Sequence, residues 1–515
     1  MISALLSDSS SHPMPDASAE FDLMPLALQA HAANHFVEAE KLYRAIFAAN
    51  PHDAKALYHL GLLFAQQDRV PEAFAAFGQV TQMRPDLGPA WFMLSEFADR
   101  MGERELQLIA GEQAVKRMPH TARAWLRHGI ALARVERHEE ACASFRRAVS
   151  LDSSLVAAWA NLCVSSKALG RFREAEDSIR RALSAAGATA GLAEQDENSY
   201  SFLHWHLALL ELLRNDYRAG FAHFRARFVG GTDWIRHKFS QPLWRGEDLR
   251  GKTLLVTTEQ GHGDAIMLAR YLPLLKARGA RVLFQAHPAL ARLFEGWSGA
   301  DKIIPLGQAP DEGFDYHTAI FDLPYRFGTS FEMVPASMPY ISHLSPDSAT
   351  RLQPNGSPAV GVIWAGHPGN LRGLNRSVPL ADFAPLFGVS GFRFFNLTRD
   401  MREGEADLLP RYPMTDLSGR LSDFADTARF MQQMDLIITC DTATAHLAGA
   451  LGKPVWTLLP FVADWRWGAQ GDSCPWYPTM RLFRQEVAGD WGAVVQAARH
   501  GLLASGGKLG ECFVS

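Results

Sequence analysis

Residues 435–459 read DLIITCDTATAHLAGALGKPVWTLL, and their reading decides the fold of the C-terminal half. Leu436 to Thr439 is an apolar run of strand length, broken by the polar Cys440-Asp441-Thr442. Ala443 to Leu451 has helical spacing and stops at Gly452, with Lys453-Pro454 beyond it, and Val455 to Leu459 is a second strand. Strand, polar turn, helix and strand make one βαβ unit. In an open parallel sheet, the free N–H groups at such a helix start collect anions at the carboxyl ends of the strands. The turn is therefore expected to receive a phosphate or a carboxylate. Capping alone would account for Asp441 or Thr442. It does not account for Thr444 and His446 inside an otherwise apolar helix, which makes both candidates for ligand contact.

The same alternation extends outward. Thr253–Thr257 (TLLVT) reads as a buried strand and is followed by a loop, Thr258-Glu259-Gln260-Gly261-His262-Gly263-Asp264. A helical stretch (Ala265 to Arg278) and a strand (Val282 to Gln285) come next, and the pattern continues through Ile303-Ile304 and Ala319 to Asp322. A Pro/Ser-rich bridge, Ser345 to Pro358, precedes a second series that opens at Val360-Gly361-Val362-Ile363-Trp364 and closes with a helix after Trp491. Two α/β lobes with a cleft between them are expected, an N-terminal one over 251–350 and a C-terminal one over 351–515.

The first half is different. Leu23, Leu57, Trp91, Trp125 and Trp159 stand 34 residues apart at each step. Ala39, Ala73, Ala141 and Ala175 share one small slot of that frame, with Gln107 the exception; Tyr43, Phe77, Phe145 and Ile179 share one large slot, with Gly111 the exception. This period resembles that of tetratricopeptide repeats, each a pair of antiparallel helices, and implies an α superhelix of about six units over 20–230. A linker over 231–250, docked by Trp234 and Trp244, would join it to the lobes. The fifth position of each unit is expected to face the concave groove. It carries Tyr58, Phe92, Leu126 and Trp205, an apolar stripe suited to an amphipathic helix, although packing between repeats would use the same residues.

Asp441-Thr442-Ala443-Thr444-Ala445-His446-Leu447-Ala448, followed by Leu451-Gly452-Lys453-Pro454, resembles the donor-site motif of the heptosyltransferase-like glycosyltransferases of family nine. The resemblance implies a GT-B fold of two Rossmann-like lobes, the C-terminal one holding a nucleotide sugar and the N-terminal one the acceptor. One departure is Ala443, where the family has glycine, so backbone approach to a phosphate there is expected to be less close. The family's Gly-Asp loop is matched by Gly263-Asp264. This implies that Asp264 is the general base that takes the acceptor's proton, with His262 as a rival base or phosphate ligand. A helix cap is a compatible role for Asp264, although the positive helix end would lower its pKa. Arg376 best matches the family's phosphate-contacting basic residue, with Arg372 a second positive charge in the same loop. Asn396 and Thr398 could read the nucleobase or ribose. Asp464-Trp465-Arg466-Trp467-Gly468 either walls the sugar site or is interlobe core.

No Asp-x-Asp triplet and no zinc-ligand spacing occurs, so no metal or other cofactor is expected; the nucleotide sugar is a substrate. The 515 residues are 47% hydrophobic and 21% charged, with a net charge of −4, which argues against a nucleic-acid partner. Five scattered cysteines suit a reducing, cytoplasmic location, and no apolar run reaches the length of a membrane span. The Ser/Pro/Asp-rich start (1–19) lacks the basic opening of a signal peptide and is expected to be a disordered tail.

Repeats joined to such lobes resemble bacterial protein O-glycosyltransferases, including flagellin glycosyltransferases that use nonulosonic-acid donors. The expected function is transfer of a sugar, with inversion and without metal, to a hydroxyl of a protein held by the repeats. A lipopolysaccharide or capsule acceptor and a non-catalytic nucleotide-sugar-binding scaffold stay open on sequence alone. So does an epimerase, which shares the two lobes.

Overall fold

The computed structural model describes residues 23–188, 197–228, 239–353, 356–367 and 375–506. The expected tail, Trp234, Arg372 and most of the Gly187 to Asn198 insertion lie outside these residues. The chain divides into two compact units, Met1–Ser165 and Ser166–Ser515.

The first unit is built of helix pairs: α1 (Met24–Ala32) with α2 (Phe36–Ala49), α3 (Ala54–Gln66) with α4 (Val70–Met83), α5 (Gly88–Met101) with α6 (Arg104–Arg117), and α7 (Ala122–Arg134) with α8 (His138–Leu151). The 34-residue frame becomes a set of repeated contacts. Ala39, Ala73 and Ala141 are fully buried where paired helices touch, and so are the rings of Tyr43, Phe77 and Phe145. Each ring needs a small residue opposite: a methyl group on Gly61 would lie 3.0 Å from the Phe77 ring, and one on Gly129 would lie 2.5 Å from Phe145. The third pair exchanges sizes. Gly111 replaces the ring, Ser95 replaces the glycine, and Ser95 Oγ donates to the Gln107 carbonyl at 3.0 Å. α6 therefore remains a full 14-residue helix despite its atypical sequence. The indole N–H groups of Trp91, Trp125 and Trp159 donate to the carbonyls of Pro85, Pro119 and Ser153, each at 2.9 Å, so one residue per repeat satisfies a connecting-turn carbonyl. Tyr58, Phe92 and Leu126 are all half-buried. Tyr58 packs edge-on against Phe77 at 5.7 Å between centroids.

The helical series continues through α9 (Val156–Ala168), α10 (Phe172–Ala188), α11 (Glu197–Leu213) and α12 (Tyr217–Phe224). In the second unit, α11 and α12 share a hydrophobic core with the α/β part. Phe224 stacks on Phe321 at 4.9 Å, Phe221 meets Trp465 at 5.8 Å, and Trp476 Nε1 donates to Tyr217 Oη at 3.1 Å. Just beyond α12, Arg227 is buried and forked between Glu259 (Nη2 to Oε1, 2.6 Å) and Asp322 (Nη2 to Oδ1, 3.0 Å). Trp205, expected in the acceptor groove, is half-buried like Tyr58, Phe92 and Leu126 and packs against Phe224 at 4.7 Å.

The α/β part holds two all-parallel sheets. The first has the order β3-β2-β1-β4, with β1 Thr253–Thr257, β2 Arg281–Ala286, β3 Lys302–Pro305 and β4 Tyr316–Ala319. The second has the order β10-β9-β8-β5-β6-β7, with β5 Ala359–Ile363, β6 Arg393–Asn396, β7 Met414–Asp416, β8 Leu436–Cys440, β9 Val455–Leu459 and β10 Met480–Arg484. Strands β5, β8 and β9 are buried along their whole length, as strands covered on both faces must be. Chain direction across each sheet reverses at one place, between β1 and β4 in the first and between β5 and β8 in the second. Such switch points leave a crevice at the carboxyl edge, where ligands bind in open α/β sheets.

Candidate active site

The sequence candidates assemble at these two crevices. After β1, the loop turns into α13 (His262–Ala269), with Gly261 at its cap and Asp264 in its first turn. The Gly261 N–H donates to Asp264 Oδ2 at 3.0 Å. After β8, Thr442 caps α14 (Ala443–Ala450), the helix of the opening motif. The two helix starts meet across the lobes: a methyl group on Gly263 would lie 2.7 Å from His446 Cδ2 and 3.2 Å from Ala443 Cα. Gly263 is thus the residue that lets the lobes touch. The small residue that the motif lacks at Ala443 is supplied from the opposite side.

His446 is buried and fixed. Its Nδ1 is 3.0 Å from Tyr477 Oη, and its ring stacks on Trp467 at 4.9 Å. Burial, reinforced by the Arg466 charge, holds its pKa well below the imidazole value, so the ring is neutral. Thr442 and Thr444 share a 2.5 Å hydroxyl contact, and Thr444 reaches Thr439 at 3.3 Å. Arg376, beside the end of β5, pairs with buried Asp441 at 3.3 Å. Its Nε is buried without a partner among the described residues.

Asp264 is nearly buried, and Arg466 Nη2 donates to its Oδ1. Arg466 also pairs with Asp464 and lies over the Trp465 ring at 4.6 Å. Burial pushes the Asp264 carboxyl above its ordinary range, against the opposing pull of Arg466. Burial works the same way on Asp464, but there Arg466 wins and the pKa falls. The junction thus gathers three carboxylates (Asp264, Asp441, Asp464) and two guanidinium groups (Arg376, Arg466).

His262 stands at the rim, 4.9 Å from the His287 ring and 5.3 Å from Phe424. Partial desolvation and the neighbouring imidazoles lower its pKa. Asn396 departs from expectation. It is fully buried, accepts from the Thr398 N–H at 2.7 Å and donates to Asp416 at 2.8 Å. Its amide braces the end of β6 and, being fully buried, presents no polar atom to the crevice. Thr398 is likewise fully buried, its hydroxyl accepting from the Trp364 N–H at 3.2 Å. Among the described residues no group of three His, Cys, Asp or Glu side chains could hold a metal ion. Cys440 and Cys474 are buried, their thiols pushed up to about 12 and about 11. No described helix is long and apolar enough to cross a membrane.

The sequence did not single out Arg466 as a partner of Asp264. The one local signal was an arginine between two tryptophans, two residues after an aspartate. Nor did it flag Gly263 as a contact point.

Helical repeats followed by two parallel-sheet lobes, with a carboxylate at one crevice and a helix start at the other, define a repeat protein joined to a two-lobed α/β frame. Residues 25–87 and 110–155 match the tetratricopeptide repeat, and residues 399–474 match glycosyltransferase family 9 (heptosyltransferase). The chain therefore combines tetratricopeptide repeats with a heptosyltransferase-like glycosyltransferase domain. Protein FlbA of Caulobacter vibrioides is 24% identical over 500 residues, spanning 90% of this chain and 81% of that protein. Among solved structures, MamA aligns with 32% of this chain and 97% of its own at 16% identity and a TM-score of 0.31. YrrB, described as a repeat protein with an unusual peptide-binding site, aligns with 32% of this chain and 85% of its own at 19% identity and a TM-score of 0.31.

Proposed function

We propose that the protein transfers a sugar from a nucleotide-sugar donor to a hydroxyl of a protein held by the repeats, flagellin being the favoured acceptor. The observation that carries this reading is the meeting of the Asp264 and Ala443 helix starts at Gly263, which puts a carboxylate beside an anion-receiving site. The acceptor oxygen attacks the anomeric carbon from the side opposite the nucleotide and loses its proton to Asp264, so configuration inverts. The free N–H groups at Ala443 and Thr444 and the Arg376 guanidinium stabilise the departing phosphate without a metal. Neutral His446 adds bulk without charge to the wall of this site. The half-buried apolar side chains Tyr58, Phe92 and Leu126 favour an amphipathic helical acceptor segment. Tethering such a segment raises its effective concentration at the cleft to about the millimolar range. Buried thiols suit a reducing, cytoplasmic setting.

The test is a transfer assay with the full chain, flagellin from the same host, and UDP-, GDP-, ADP- and CMP-activated sugars, read by intact mass. A sugar increment on flagellin that vanishes with Asp264→Asn supports the reading. An increment that survives the substitution removes Asp264 as base. Transfer to free glycan with none to protein moves the acceptor assignment to a glycan.

A further inference from the structure

We propose that Arg466, braced by Asp464, is a positioning residue that fixes the Asp264 carboxylate from the opposite lobe, so that a competent base exists only while the lobes are in contact. This inference rests on the base role of Asp264 proposed above.

Asp264 has two fixed contacts on two oxygens. Oδ2 takes the Gly261 N–H of its own loop, and Oδ1 takes Arg466 from the loop after β9. Together they set the plane of the carboxylate, and each oxygen keeps a second lone pair for an incoming hydroxyl proton. Arg466 cannot follow a mobile partner. Asp464 accepts from both its guanidinium and its backbone N–H, the latter at 3.1 Å. The guanidinium lies over Trp465, and the next residue, Trp467, is stacked on His446. Fold stability is a weak reason for such a buried pair, because desolvation offsets most of its attraction.

The groups that face Asp264 come from every element around it. They are the Gly261 N–H of its own turn, His287 at the end of β2, and Asp464 and Arg466 after β9, with Asp441 and Arg376 behind and His446 of α14 against the neighbouring Gly263. Arg466 supplies the positive charge in contact with it. Burial raises the carboxyl pKa and Arg466 restrains that rise.

The experiment compares the full-length wild type with Asp264→Asn, Arg466→Gln, Arg466→Lys and Asp464→Asn. It uses the nucleotide sugar and flagellin that give product with wild type, with kcat and KM measured from about pH 5 to about pH 9. Removing the neighbouring positive charge should move the acid limb of kcat upward by about one to three pH units. Near neutral pH kcat should fall about tenfold or more, with a smaller change in donor KM. Arg466→Lys should restore part of the limb position, and Asp464→Asn should lower kcat by loosening Arg466. An Arg466→Gln limb that coincides with wild type, or a loss confined to KM, overturns the positioning role. If Asp264→Asn keeps wild-type activity, the base reading falls first, and the proposal with it. A double-mutant cycle of Asp264→Asn with Arg466→Gln on urea unfolding needs no substrate. Measurable coupling supports the contact, and its absence overturns the proposal.

Discussion

Replacing Gly263 with alanine adds one methyl group where the two lobes meet. That methyl would lie 2.7 Å from His446 Cδ2 and 3.2 Å from Ala443 Cα. Carbon atoms pack comfortably at about 3.5–4.0 Å, so something must move by about 1 Å. His446 cannot swing aside, because Tyr477 holds its Nδ1 and Trp467 covers its face. Ala443 Cα is backbone at the start of α14. The displacement therefore falls on α13 against α14. Overpacking of this kind costs about 1–3 kcal/mol, whereas the helix-propensity gain of Gly to Ala is at most about 1 kcal/mol, so net destabilisation is expected. The larger effect is on rate: a base displaced by about 1 Å relative to the donor costs about a hundredfold in kcat. Urea unfolding and saturating-donor kinetics read the two effects separately. Gly78→Ala in α4 is the control, since its methyl would find only Leu94 at 4.0 Å. It should keep full activity and gain slightly in stability. A Gly263→Ala protein with wild-type kcat and stability would refute the claim that this glycine sets the spacing of the lobes.

Arg227→Met should leave Glu259 and Asp322 buried without their cation and lower unfolding free energy by about 3–5 kcal/mol, with partial recovery when Glu259→Gln is added. A chain beginning after Gly170 should unfold as one cooperative unit. One beginning after residue 230 loses Tyr217, Phe221, Phe224 and Arg227 from the core and should aggregate, as size-exclusion chromatography would show. His446 is neutral in the fold with a pKa well below 6.5, so as pH falls through 6.5 the unfolded chain takes up its proton first. Stability from this group is present above that pH and lost below it; the acid loss in urea midpoint should shrink in His446→Gln. The Asp264 carboxyl is raised, so transfer should fade as pH drops through that raised value, giving an acid limb above the ordinary aspartate range.

Much of this was legible in the sequence because it follows from periodicity. The 34-residue frame shows up because every helix pair buries the same small and large slots. Even the third pair obeys it once Ser95 and Gly111 are seen to exchange sizes. The βαβ unit around Asp441 is legible because strands covered on both faces must be continuously apolar. Long-range pairing leaves no such trace. Asp264 and Arg466 are 202 residues apart and Arg227 and Asp322 are 95 apart, and no spacing rule links them. Asn396 misled for the opposite reason: a polar residue at a strand end signals ligand reading and strand bracing equally, and only its two short bonds distinguish them.

The fork of Arg227 onto Glu259 and Asp322 has a mechanical consequence. Glu259 stands five residues before Asp264, on the loop that leads into α13. The final helix of the array is thus bolted to the crevice of the first lobe, with no slack tether in between. The two sides of that fork move as one piece: the segment just after α12 cannot shift without carrying the loop that leads to Asp264.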